Sequence, residues 1–142
     1  MAHDVAKLLI LICCLGLSVV APAAAFAQDQ KEVHVAKVGP DGVQRVRIVG
    51  GGYFFKPYHI IVKVNVPVEL SASREAGFVP HDLVIKAPEA GVSVDEELAT
   101  DGKKIAFTAT AVGKYPLYCS RKLLFFASHR ERGMEGVLEV VP

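Results

Sequence analysis

The chain has 142 residues, 51% of them hydrophobic, and its 16 Lys and Arg nearly cancel 15 Asp and Glu to leave a formal net charge of +1. That length allows one domain and excludes a second fold beside a sizeable core. The charge balance argues against a nucleic-acid partner, whose electrostatic footprint is a strongly basic stripe.

Lys7 precedes a largely apolar run from Leu8 to Ala21, and Ala25-Phe26-Ala27 has the small-x-small form of a cleavage site. This is the pattern of a secretory signal peptide. Pro22 and the cleavage pattern weigh against a retained membrane anchor, and no small residue directly precedes Cys13 to complete a lipidation box. Without a twin arginine, the general secretory route is expected. The expectation is therefore a signal peptide over residues 1–27, a periplasmic or otherwise exported domain over residues 28–142, and no stable membrane insertion after cleavage.

Short strands follow in order. Val33 and Val35 alternate with polar neighbours, as do Val46 and Ile48, with Tyr53 beyond a glycine break. Ile60, Val62 and Val64 keep the period of two, then Val68 and Leu70. Leu83-Val84-Ile85 is a continuous apolar run, Ile105 and Phe107 bracket Ala106, Tyr115 and Leu117 alternate before Cys119, and Val137 to Val141 closes the chain. Turn signals stand between them at Gly39-Pro40-Asp41-Gly42, Gly50-Gly51-Gly52, Asp101-Gly102 and Val112-Gly113-Lys114. β-Branched runs at this spacing predict an all-β sandwich or barrel. Pro88 to Thr100 is the one stretch read as a helix or long loop.

Beyond residue 27 the chain holds one Cys, one Met and four His. Cys119 has no cysteine to pair with there. In an oxidising compartment such a thiol is buried, joined to another chain, catalytic or bound to metal. Its neighbours favour metal. Thiolate and thioether donors suit copper or another soft ion, imidazole suits copper as well, and two His and a Cys with a more distant Met form an electron-transfer copper set. His81 opens one strand, Cys119 ends another, His129 lies in the next loop and Met134 opens the last strand. A loop closing one end of a sandwich would gather all four.

Taken singly, each has a plainer reading: Met134 as core filler, His81 as a strand-edge surface residue, His129 as part of the solvated run Arg130-Glu131-Arg132. The combination is more telling, because the one Cys and the one Met beyond residue 27 bound a sixteen-residue segment that contains a His. His34 and His59 have no Cys or Met nearby and are not assigned. No paired carboxylates and no Ser/His/Asp constellation stand out, so no enzyme is expected.

Four stretches in the right order resemble the cupredoxins. Phe55-Lys56-Pro57, Ile60-Ile61-Val62 and Pro67-Val68-Glu69-Leu70 look like the family's F-x-P-x-x-I-x-V strand pair. Pro80-His81-Asp82-Leu83-Val84-Ile85 is similar to the strand carrying the first His ligand. Phe107-Thr108 followed by Gly113-Lys114-Tyr115-Pro116-Leu117-Tyr118-Cys119 resembles the approach to the thiolate. His129, Met134, Gly136, Leu138 and Val140 resemble the H-x4-M-x-G-x-[LIV]-x-V ending.

The resemblance covers about Val46 to Val141. It implies a cupredoxin-like Greek-key β-sandwich with one copper ion per chain, bound by His81, Cys119, His129 and axial Met134. It also implies electron transfer between redox partner proteins. Copper carriage or storage in the cell envelope is the alternative role on the same fold, and a metal-free sandwich used for protein contacts is a third.

One departure matters. Nine residues separate Cys119 from His129, where mononuclear members of the family have two to four. A dinuclear centre is not expected, since Leu123 stands where a second Cys would be required. The insert either folds away and returns His129 to the metal or leaves the site open. Its Leu123-Leu124-Phe125-Phe126 block either packs inward or stays exposed beside His129, with basic neighbours forming a rim for an acidic partner. Behind the ligands, Asp82 and Ser120 are expected to hydrogen-bond and lock two strand ends together.

Overall fold

The structure is a computed structural model that describes residues 32–142, so the expected signal peptide lies outside the described residues. Strand alternation sets the architecture. In β2 (Gln44–Gly51), Val46 and Ile48 face inward while Arg45 and Arg47 face solvent. β5 (Pro67–Arg74) repeats the pattern with Val68, Leu70 and Ala72. β2 runs parallel to β5, and with β3 (Phe54–Lys56) and β8 (Lys103–Thr108) they form a sheet ordered β3-β2-β5-β8.

The second sheet contains β1 (Val33–Val35), β4 (His59–Lys63), β6 (Asp82–Ala87), β7 (Val92–Glu97), β9 (Gly113–Tyr118) and β10 (Glu135–Val141). Its order is β1-β4-β10-β9-β6-β7. The inner faces meet over Ile48, Phe55, Ile60, Leu70, Leu83, Ile85, Leu117 and Leu138, all buried. Gln44 is buried among them and fully engaged. Its amide donates to Lys63 O and Val66 O and accepts from Lys63 N, which offsets the cost of burying a polar side chain.

The stretch read as a helix or long loop is instead a strand. Only Pro88–Ala90 makes a single 3-10 turn, ended by Gly91 at φ 69°. From Val92 the chain pairs with β6, burying Val92 and Val94 and exposing Ser93 and Asp95. The alternation was present in the sequence, but the acidic residues that follow hid it. Charged side chains suit this position, because β7 is a sheet edge, where charge discourages pairing with another chain. Among the described residues no helix is long and apolar enough to cross a membrane.

Three strands bring the chemistry to one end of the sandwich. β9 lies between β6 and β10, with Tyr118 opposite Val84 on one side and Glu135 on the other. Residues just before β6, just after β9 and just before β10 therefore come together. These are His81, Cys119 and Met134.

Candidate metal centre

His81, Cys119 and His129 form a buried cluster whose donor atoms all lie within 4.8 Å of one another. The two Nδ1 atoms are 3.2 Å apart, and Cys119 Sγ stands 3.4 Å from His129 Nδ1 and 4.0 Å from His81 Nδ1. The thiol leaves the end of β9 under full burial and accepts a long hydrogen bond from Asp82 N at 3.5 Å. This donor set fits a soft metal ion, since one sulfur and two imidazole nitrogens converge.

The long insert does return His129 to the cluster. His129 N donates to Arg121 O at 2.8 Å, which closes the chain just beyond Cys119 and pinches residues 122–128 outward. The following turn is fixed by Ser128, whose hydroxyl and backbone N–H both donate to the Glu131 carboxylate. Gly133 at φ 97° closes it, a conformation open to glycine at little cost. Met134 N then donates to His129 O at 2.9 Å, and Cys119 N to Met134 O at 3.1 Å. Backbone hydrogen bonds thus tie the Cys, the second His and the Met into one knot. Met134 is fully buried, and its terminal methyl lies over Gly50, where an added Cβ would stand 3.0 Å away.

Behind the cluster, Asp82 accepts from Ser120 N and from Ser120 Oγ, each at 2.6 Å. The hydrogen bond expected between these two residues is therefore doubled. Arg121 adds an ion pair to Asp82 at 3.1 Å and a second to Glu97 at 3.2 Å. Asp82 is 4% exposed, and a buried carboxylate with this many donors holds its partners firmly. Replacing Asp82 by Ala is expected to weaken metal binding on the order of 10–100-fold. Competition with a chelator of known affinity measures this, and an unchanged affinity would remove Asp82 from the site.

Two contacts at the cluster, both made by Tyr53, were not foreseen from the sequence, which offered Arg132 only as part of a basic rim. Tyr53 packs edge-on against the His129 ring at 5.2 Å between centroids, from a backbone with φ 66°. Arg132 lies over the same Tyr53 ring at 5.1 Å and donates to its hydroxyl at 3.2 Å. A non-glycine residue held in the left-handed region beside a functional cluster is a common form of stored strain. The signal available in the sequence was only the Gly50-Gly51-Gly52 run before Tyr53. His59 belongs to a different environment, 2.7 Å from the Glu139 carboxylate, and His34 lies on the edge strand β1.

Burial pushes the Cys119 thiol up to about 11. Burial also pushes both imidazoles below their ordinary range, with the neighbouring His129 adding to the effect on His81. At neutral pH the metal-free cluster is therefore a protonated thiol beside two neutral imidazoles. Neutral imidazole is the form that binds metal.

The fold is that of a cupredoxin-like Greek-key β-sandwich, as the resemblance implied. No family model matches the sequence, and no curated protein matches it. Solved structures do. The chain is similar to the metal-binding domain of the Streptococcus pneumoniae D39 Cu(I)-exporting P-type ATPase CopA with Cu(I), at TM-score 0.59 and 22% identity, over 79% of this chain and 98% of that one. It is similar to a copper-binding protein in its apo form, at TM-score 0.56 and 18% identity, over 77% and 97% of the two chains. Auracyanin B matches at TM-score 0.53 and 16% identity, over 80% and 99%.

Proposed function

We propose that the protein binds one copper ion per chain, which His81, Cys119, His129 and Met134 would hold, and carries single electrons between redox partner proteins. The observation that carries this reading is the preassembly of a buried S/N/N donor set, two of its members at strand ends and His129 in the turn between β9 and β10. A copper ion held here supplies a one-electron couple. The rest is the work of the chain. Strand ends, the Asp82–Ser120 pair and the Arg121–His129 hydrogen bond hold the donors in place, so little rearrangement accompanies a change of charge. Burial excludes water from the thiolate.

Copper carriage on the same fold has one point in its favour, the similarity to a domain of a Cu(I)-exporting ATPase. A carrier gains from accessible donors that release the ion, whereas His81 and His129 are 6% and 5% exposed and Cys119 and Met134 are fully buried. That burial favours retention. Cycling the copper-loaded protein with an oxidant and a reductant tests the choice: repeated recovery of the same visible band supports electron transfer, and ready loss of Cu(I) to a chelator supports carriage.

Proton release offers a second check. The metal takes Cys119 as thiolate, and metal binding displaces the thiol proton. With the thiol at about 11 and both imidazoles already neutral, uptake at pH 7–9 is expected to release about one proton per ion. Apparent affinity should then rise with pH until the thiol ionises unaided. Calorimetry in buffers of different ionisation enthalpy measures the release. A value near zero would contradict ligation by a protonated, buried thiol.

A further inference from the structure

The metal end of the sandwich carries two apolar protrusions. Phe78, on the loop before His81, is fully exposed. The segment pinched out by the Arg121–His129 hydrogen bond presents Leu123, Leu124, Phe125 and Phe126 to solvent, with Leu124 and Phe125 at 75% and 84% exposure. The block does not pack inward, because Phe126 N donates to Leu123 O and Leu124 takes φ 48°, a tight turn that holds the four side chains outside the sandwich. Phe78, Leu123 and Phe126 line one cleft of about 530 Å³, whose wall also includes Lys122, His129 and Arg132. The two protrusions therefore share one face.

That face is also basic. Between Ser120 and Glu135 the chain has four Lys and Arg against two Glu. Arg121 and Arg130 are committed to carboxylates. Among the described residues, Lys122 and Arg132 have no carboxylate within salt-bridge distance, and both border the apolar cleft. Exposed apolar patches of this kind mark a docking surface. Here Phe78, Leu124 and Phe125, the most exposed of these side chains, stand proud as tips at the rim of the cleft, with Lys122 and Arg132 set beside them. A protein partner would need matching pits for each tip. A fluid lipid interface closes around any convex shape, and aromatic and Leu side chains next to cations are what such an interface takes up.

We propose that this end of the domain docks reversibly on an anionic membrane surface, with Phe78 and Phe125 entering the interface and Lys122 and Arg132 meeting lipid phosphates. Docking of this sort is peripheral and needs no spanning segment. It goes beyond the copper reading and does not depend on it, since the same loops are present in the metal-free chain. Combined with that reading, it would hold His129 close to the lipid surface, where the redox centre of a membrane-bound partner could lie.

The test is co-flotation of the metal-free chain lacking residues 1–27 with vesicles of phosphatidylcholine alone or mixed with phosphatidylglycerol. Binding to the mixed vesicles is expected, at least about ten-fold tighter than to phosphatidylcholine. Phe78→Ser with Phe125→Ser should weaken it by a further factor of about ten or more, because both side chains leave water on docking. Lys122→Glu with Arg132→Glu should abolish the preference for the anionic lipid. These side chains lie on the surface, and circular dichroism checks that the variants stay folded. Three results would overturn the proposal: no flotation with either vesicle, flotation unaffected by the two Phe substitutions, or equally tight binding to soluble polyglutamate. The last would assign the face to an acidic protein partner.

Discussion

Cys119→Ser is expected to abolish thiolate-to-copper charge-transfer absorption while leaving the sandwich folded. The thiol is the one sulfur donor within the cluster that a metal deprotonates outright. A serine hydroxyl is not ionised in this way, and its oxygen is a harder donor for a soft ion. The fold should tolerate the change. Serine is slightly smaller than cysteine, and its hydroxyl can still accept from Asp82 N, which now donates to Sγ. The visible spectrum of copper-treated variant and parent measures the first expectation, and far-ultraviolet circular dichroism the second. A variant that keeps the full band would place the copper elsewhere.

The second large effect concerns stability. Gly136 is the second residue of β10, two residues after Met134, and Tyr58 O accepts a hydrogen bond from Val137 N at 2.8 Å directly beside it. A Cβ at position 136 would stand 2.3 Å from that backbone oxygen and 3.1 Å from a Leu117 methyl. The oxygen belongs to the backbone leading into β4, so it cannot swing aside as a flexible side chain would. Gly136→Ala must therefore push β4 from β10 near the middle of the larger sheet. Overpacking of this kind costs about 1–3 kcal/mol, and the upper end is expected where backbone has to move. That is a large fraction of a small domain's stability. Urea unfolding of the metal-free protein measures it. A midpoint unchanged from the parent would mean that the strands separate without loss.

The sequence resemblance placed a glycine here as part of a motif. The structure supplies its reason, close approach of a carbonyl rather than an unusual backbone angle. The same holds for the cluster. Cys119 and Met134 stood out because each is the sole residue of its type beyond residue 27, and His129 because it lies between them. Pairing of β6 with β9 then puts His81 beside Cys119, which the place of each at the end of an apolar strand made legible.

What could not be read was the path of the insert. Its length alone allowed either an open site or a returned ligand, and the outcome turns on one backbone hydrogen bond from His129 to Arg121. Backbone hydrogen bonds in an irregular loop leave no trace in residue type. The contact of Tyr53 with Arg132, a residue the sequence offered only as part of a basic rim, was missed for a related reason, since the two meet across 79 positions of sequence. β7 was lost to composition, because Asp95, Glu96 and Glu97 on an edge strand look like a solvated loop.

The most direct measurement of the central claim is the copper content and visible spectrum of the purified protein, followed through cycles of reduction and reoxidation. The account predicts one copper per chain and an intense thiolate charge-transfer band that bleaches on reduction and returns on oxidation without loss of metal. A protein that takes up no copper, or that takes it up without any such band, would contradict it.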